Sequence, residues 1–553
     1  MKNNLIRHSN FQDASKELRA RLNMSSEKDV TIKFEKDTYH FIDEKAENDF
    51  NELMAGNLDY DTHWGKSEIP YNKGITIENC NNIILDFNGS TLMMYGLIQT
   101  MLLKGSKNIT IKNLTVDWWR SPFSIGEVIG SEGSKVIVKI FDDFPIKGGE
   151  PVWAIMDYDP IEKHLGEVYK FRNMTPLKLI EKQKVEFSGN FTLKPIIGSY
   201  LVIRHVGNYR PCFQLLECEN IFFQNVTIHN NPGMGIVGHY TKNIQFRNLQ
   251  VKPKESHIMS TSTDATHFIS CSGLIDFEDC YFEGMGDDAI NVHGFYQSII
   301  NISEDRKIVT STILNPNGTQ DMVFDAPTNG DRVEFCKSNN LLCFSENIIK
   351  RSEIDSEAWQ VKITFEKPLS TSIHCGDVFT KVNDCAKLRF VNCIARDIRA
   401  RAALIQTRGC IIENCKFSYC TGTGIHIDTA TGWWESTSTR DIIIRNNIIQ
   451  ACGYGDGTYN NTCGIAVLTE CDESAVGVHK NLVIENNQIN GNGESTGIYI
   501  SSAEEVEIYG NCINNCATAI EVDDSTAIHI YGNDIETQAK IVFNNKRKSF
   551  NWD

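Results

Sequence analysis

The chain has 553 residues, is 41% hydrophobic and 10% aromatic, and carries a formal net charge of −17 with a pI near 5.4. That acidity argues against nucleic acid or an anionic membrane surface as a partner, and the apolar content argues against global disorder. No apolar run approaches the ~18 residues of a membrane span, and neither paired CxxC motifs at zinc spacing nor an HExxH sequence points to a metal.

The first residues, "MKNNLIRHSNFQDASK", lack the apolar stretch of a secretion signal. "FQDASKELRARLNM" (11–24) reads as a short capping helix, and "DVTIKFEKDTYHF" (29–41) as the first strands. From residue 81 a degenerate motif recurs: Asn, apolar, any, apolar, any, then Asn or Asp. Instances are "NNIILDFNG" (81–89), "KNITIKNLTV" (107–116), "ENIFFQNVTI" (219–228), "KNIQFRNLQV" (242–251) and "SGLIDFEDCYF" (272–282). Later ones are "KLRFVNCIA" (387–395), "CIIENCKFS" (410–418), "DIIIRNNII" (441–449), "NLVIENNQI" (481–489), "VEIYGNCIN" (506–514) and "IHIYGNDIE" (528–536). The step from Asn225 to Asn248 is 23 residues, those from Asn392 to Asn414 and from Asn511 to Asn533 are 22, and that from Asn248 to Asp279 is 31.

A period in the low twenties, carried by Ile, Val and Phe and lacking both helical periodicity and fixed leucines, predicts an all-β right-handed parallel β-helix. About three short strands make each coil, with turn asparagines stacked in amide ladders and Ile, Val, Phe and Cys stacked inside. Most of the 18 cysteines are thereby read as interior apolar positions. The motif stops twice, and both gaps hold alternating strand-like runs. These are "SKVIVKIFDDF" (134–144) and "GSYLVIRHVG" (198–207), then "RKIVTSTIL" (306–314), "DRVEFCK" (331–337) and "AWQVKITF" (358–365). Each gap is read as a small inserted antiparallel, barrel-like β-domain. The resulting division is an N-terminal cap with first coils (1–120), insert one (121–207), coils carrying the candidate acids (208–296), insert two (297–383) and C-terminal coils (384–553). The basic cluster "NNKRKSF" near the C-terminus is read as a solvated tail.

"GMGDDAINVHG" (284–294) places two aspartates side by side. In a plain strand they would face opposite ways, but Gly284 and Gly286 permit a kink that turns both into one cleft. Asp264 precedes Asp287 by 23 residues, about one coil. Adjacent coils stack at about 4.8 Å, so Asp264 is expected one rung from the pair on the same outer face. Three neighbouring carboxylates repel, and at least one should keep a proton. That is the equipment of glycoside hydrolysis, with one acid to protonate the leaving oxygen and an ionised carboxylate to activate water. The bland readings are solvated turn acids or a calcium site.

The lone Asp, the "GDD" and the following "HG" resemble the inverting polygalacturonase-like glycosidases. "TVDWWRSPFSIGEV" (115–128), "STDATHFISCSGLIDFEDCYFEGMGDDAINVHG" (262–294) and "GIHIDTATGWWES" (424–436) resemble glycoside hydrolase family 110, the α-1,3-galactosidases. The resemblance implies an inverting exo-enzyme that removes terminal α-1,3-linked galactose, as in blood-group B or linear α-galactosyl glycans, with no metal and no cofactor. It implies Asp264, Asp287 and Asp288 as the catalytic acids, with Asp287 protonating the leaving oxygen while Asp264 and Asp288 hold and deprotonate the water. His267, Asn291, His293, Arg408, Trp433 and Trp434 are the candidate substrate-binding residues. A packed histidine, a structural ion pair for Arg408 and packed tryptophans are the competing readings. A terminal-galactose glycan is the implied partner; a homo-oligomer is left open. The glycan implies export to the periplasm or beyond. A polygalacturonase-type enzyme, a calcium-dependent lyase and a non-catalytic glycan-binding β-helix are the rivals.

Overall fold

The computed structural model describes residues 2–6, 28–58, 72–207, 209–255, 257–313 and 325–544. The expected helix at 11–24 lies outside these, as does the basic tail beyond Asn544.

Two long sheets, of 21 and 13 strands among the described residues, wind along the chain, parallel throughout but for the short strand Glu435–Ser436, which runs antiparallel to Ile290–Phe295. In the first, Asn81–Met94, Lys107–Trp118, Glu219–Ile228, Lys242–Val251 and then paired shorter strands up to Thr526–Tyr531 and Asp534–Glu536 stack in sequence order. In the second, Phe213–Leu216, Ile236–His239, Thr266–Ile269, Ile290–Phe295, Ala403–Ile405, Ile425–Ile427 and Thr462–Val467 do the same. Every strand pairs with its equivalent one coil on, the arrangement of a parallel β-helix. Between the sheets runs one apolar core. In it Phe223, Phe246, Phe277 and Phe390 occupy matching register positions, with successive ring centroids 5.3, 4.4 and 5.4 Å apart.

The asparagines do two jobs. Asn82, Asn108, Asn220 and Asn243 adopt positive φ at the turn into the first sheet, where Asn tolerates the left-handed region, and their amides form an exposed ladder. At the bend inside the first sheet, Asn225, Asn248, Asp279, Asn392, Asn414, Asn446 and Asn486 also have positive φ. From Asp279 onward the residue after the turn joins one internal stack: Cys280, Cys393, Cys415, Asn447 and Asn487, continued by Asn511 and Asn533. Asn511 and Asn533 therefore sit one place beyond the turn position, which Gly510 and Gly532 fill with positive φ. All 18 cysteines are free thiols.

The two inserts differ. The second is the expected barrel, closed by Gln297–Ile302, Ile308–Thr312, Gln360–Phe365, Cys343–Asp355, Arg332–Cys336 and Val378–Lys381. The first corrects the barrel reading. It is an open seven-stranded antiparallel sheet with His164–Phe171 at one edge and Lys178–Glu181 at the other. Closure is unnecessary because the His164 edge docks on the helix: Tyr454 donates to the Leu165 carbonyl at 2.8 Å, and His164 stacks on Tyr419 at 5.0 Å. The barrel docks through Arg408, bidentate to Glu334 at 3.0 and 2.8 Å, and through Asp325, which accepts from Tyr240 and Ser270. The described helix Glu44–Met54, capped by Asp43 accepting from Ala46 N at 3.1 Å, was not read from sequence; it packs on Gly96 of the first coils.

Inside the stack, Asn487 accepts from the Asn447 backbone and side chain and donates to Ile444 O and Asn511 Oδ1 at 2.9–3.0 Å. Asn487→Leu leaves these groups buried and unpaired and should cost about 3 kcal/mol. Asn248→Gly, on the exposed turn, should cost under about 1 kcal/mol because glycine accepts the same φ. Denaturant midpoints of the two variants check the contrast.

Candidate active site

The acids lie where the chain enters the second sheet. Thr266 pairs with Ile290, and Ala265 N donates to Asp288 O at 2.9 Å, so Asp264 stands directly over Asp288. One coil further, Ala289 N donates to Arg401 O, which puts Arg401 beside Asp288 on the other side. The turn before the pair needs its glycines. Gly284 has φ +74, and a Cβ on Gly286 would lie 2.3 Å from Ser262 O. This tight turn carries Asp287 round to the same side as Asp288, and both carboxylates act on Asp264.

Each acid has different partners. Asp288 is 2% exposed and accepts from Arg401 N and Nε at 2.8 Å and from Nη2 at 2.7 Å. Burial pushes Asp288 up; Arg401 opposes this. Asp287 is one-third exposed and faces Arg399 Nη1 at 3.0 Å; Arg399 also pairs with Asp456 and lies 4.1 Å from the Tyr169 ring of the first insert. Asp264 is buried, 2.6 Å from His267 Nδ1, and held well above the usual carboxylate range by burial and then by Asp287 and Asp288.

His267 Nε2 lies 2.8 Å from His293 Nε2, and His293 Nδ1 lies 2.7 Å from Gly294 O. Burial pushes both rings down. Glu435 approaches His293 at 3.7 Å and receives a hydrogen bond from Gln406. Burial raises Glu435, but the two histidines, Gln406 and Arg401 outweigh it, so its net shift is downward. Asn291 lies in register between His267 and Leu404, its buried Oδ1 without a hydrogen-bond partner among the described residues.

Of the sequence candidates, Asp264, Asp287, Asp288, His267 and His293 thus come together, with Asn291 beside them. Arg408 does not join them, because Glu334 and Ser438 take its guanidinium and make it a barrel-docking residue. Trp434 packs toward Tyr296 and Phe295, while Trp433 is 48% exposed on the loop that carries Glu435. Sequence reading missed Arg399, Arg401, Glu435, Tyr169 and Tyr459, whose hydroxyl accepts from Arg401 Nη1 at 2.9 Å. "RAR" (399–401) was the available signal: with the barrel excised it falls one coil after "GDD".

Two clusters gather metal-type donors within 4.8 Å here. In His267, His293 and Glu435 the two Nε2 atoms at 2.8 Å are closer than the ~3.3 Å that ligands at about 2.0–2.1 Å impose in a tetrahedral site, so they read as hydrogen-bonded. Deeper, His426 Nε2 lies 3.8 Å from Asp428 Oδ2 and 3.7 Å from Glu470 Oε1, too far for hydrogen bonds. Here burial pushes Asp428 to about 7, Glu470 to about 8 and His426 to about 3.

Residues 382–550 match a family model described as right-handed β-helix region. Over 401 residues the chain is 28% identical to α-1,3-galactosidase A of Shewanella woodyi, covering 68% of this chain and 64% of that protein. It is 26% identical over 446 residues to α-1,3-galactosidase B of Bacteroides thetaiotaomicron (75% of this chain, 69% of that one). It is 26% identical over 436 residues to α-1,3-galactosidase A of Bacteroides fragilis (75% and 71%).

The chain is a right-handed β-helix and a homologue of the α-1,3-galactosidases. The match spans a little under two thirds of the Shewanella protein's length. Among solved structures, the family 28 exopolygalacturonase of Yersinia enterocolitica covers 98% of this chain and 78% of its own at 9% identity, with a TM-score of 0.37.

The deep cluster gives a stability test. Glu470 keeps its proton to about pH 8 when folded, against an ordinary value of 4.5. Its contribution is therefore complete below 4.5 and is lost as pH rises toward 8, while the unfolded chain sheds that proton. Glu470→Gln should gain on the parent between pH 5 and 8, by up to about 1 kcal/mol per pH unit. Unfolding midpoints at pH 5 and 8 read this directly.

Proposed function

We propose that this protein is an inverting exo-α-1,3-galactosidase acting on glycans that end in α-1,3-linked galactose, of the blood-group B or linear α-galactosyl type. The observation that carries the reading is the stack of Asp264 over Asp288 over Arg401, with Asp287 on the same turn. It places three carboxylates of unequal surroundings in one site, in a chain homologous to α-1,3-galactosidases. Such inequality is what hydrolysis with a general acid and a general base requires. Inversion asks for acid and base about 6.5–9.5 Å apart with water between. Asn291, whose buried Oδ1 has no hydrogen-bond partner among the described residues, and Glu435 supply polar groups that would receive the galactose hydroxyls, while His267 and His293 are held by Asp264, by each other and by Gly294 O. The glycan class implies an exported protein.

The test is galactose release from an α-1,3-galactosyl disaccharide and a B-type trisaccharide. Both should be cleaved, and polygalacturonate should not. Asp264→Asn, Asp287→Asn and Asp288→Asn should each lower kcat/KM on the order of a thousandfold while the fold is kept, measured by circular dichroism. Activity within tenfold of the parent in all three would remove these acids from the chemistry.

A further inference from the structure

A second concave place lies three coils before the acids. Val116 pairs with Ile228, Ile228 with Val251 and Val251 with Phe282. Residues 117–121 therefore leave the first sheet at the same bend as residues 284–288, about 14 Å earlier along the stack of coils. There the helix Glu44–Met54, residues 119–121, the insert-one loop 143–150 and the loop holding Lys254 and His257 enclose a cleft of about 690 Å³, within the size range of small-ligand sites. Insert one serves both places. Its 143–150 loop walls the cleft, and its Tyr169 meets Arg399 beside Asp287.

Trp119 lines this cleft and is 66% exposed. Single exposed apolar side chains are ordinary on a surface; this one is set apart by a rigid backing and by the cleft in front of it. Its N–H donates to Met94 O at 3.0 Å, and its ring stacks on Tyr95 with centroids 5.8 Å apart and planes 16° from parallel. The Tyr95 hydroxyl lies in turn 2.9 Å from His40 Nδ1. An indole backed on one face keeps the other for a ligand, and the apolar face of a sugar suits it while the sugar's hydroxyls stay in water.

The charges around the cleft decide the kind of sugar. Lys254 is paired with Asp117 at 3.2 Å, and the Glu150 carboxylate accepts from Lys147 N at 2.6 Å and Gly148 N at 2.9 Å. Arg120 donates to Phe123 O at 2.8 Å, Ser124 Oγ at 3.0 Å and Pro145 O at 3.4 Å, so its guanidinium is spent on holding the loop. Burial and then Lys254 push His257 down to about 4, which leaves it neutral. Asp143 and Lys147 remain, both exposed and of opposite sign. An anionic chain finds no surplus cation here, whereas hydroxyls find Asp143, Lys147 and the exposed Asn51 on the rim.

We infer that this cleft is an accessory site that binds neutral oligosaccharide without cleaving it, with Trp119 as the stacking platform and Asn51, Asp143 and Lys147 as the hydroxyl-binding rim. Naming a glycan as the ligand rests on the glycosidase reading above; the cleft, the backed ring and the charge balance do not. Two sites at one bend let a branched glycan or a glycan-coated surface be held at one while the other works, which raises the local concentration of ends to be cut.

The test uses the full chain labelled with 5-fluorotryptophan and carrying Asp287→Asn to prevent turnover. The Trp119 fluorine resonance is assigned by its loss in Trp119→Phe. The neutral B-type trisaccharide should move it saturably, with a midpoint at or below about 1 mM, and trigalacturonate should leave it in place. A resonance that the trisaccharide does not move, or that trigalacturonate moves more, would overturn the inference. In the otherwise unaltered chain, Trp119→Ala should hold kcat/KM on the α-1,3-galactosyl disaccharide within about twofold and slow galactose release from glycan-coated particles about tenfold. Equal losses on the two substrates, or none on either, would end the accessory role. A parent that releases no galactose would sink the glycosidase reading, while a saturable Trp119 shift would still establish the cleft as a saccharide site.

Discussion

Parallel pairing of each coil with the next is the constraint on which everything else depends. Rungs about 4.8 Å apart turn a repeat of 22 or 23 residues into a column of side chains. The same pairing that sets Phe246 over Phe277 in the core sets Asp264 over Asp288 on the outside. Core and site are two faces of one register. A slip of one residue would send the phenylalanines outward and the acids inward, so the apolar ladder holds the carboxylates at a spacing they would otherwise avoid.

The electrostatics follow from that compression. Asp264, Asp287, Asp288, Glu435, Asp428 and Glu470 crowd a stretch of five coils with Arg399 and Arg401 among them. Arg401 ties Asp288 to Tyr459 and so links the upper acids to the deep cluster. Charges left over cannot all persist in a buried place, and protons make up the difference. Burial pushes Asp264, Asp428 and Glu470 up, whereas Asp288 is also held by three hydrogen bonds from Arg401. A site that keeps one carboxyl protonated and another ionised beside it is equipped to give a proton and take one in the same turnover.

The inserts frame this column. The open sheet stands at the turn that carries Asp287 and brings Tyr169 against Arg399. The barrel follows Tyr296 and is anchored at the far edge of the same strands by Arg408 and Asp325. Their docking explains their shapes: one edge of the first is spent on the helix, whereas the second meets it mainly through side chains and closes on itself.

The repeat was legible because the turn asparagines and inward Ile, Val and Phe recur at one period, and Asp264 was legible because it falls one coil before Asp287. Arg401 was not, since 113 residues separate it from Asp288 and most of these belong to the barrel. Glu435 was hidden differently: it lies on a loop that returns antiparallel to Phe295, a contact no period announces. The first insert misled because alternating strands read alike in an open sheet and a barrel; the difference lies in what covers the edge. The most direct measurement of the central claim is proton NMR of the sugar released in the first turnovers of an α-1,3-galactosyl disaccharide. The account expects β-galactose first, converting later to the equilibrium mixture. Galactose appearing first as the α anomer would contradict acid and base carboxylates acting across a bound water.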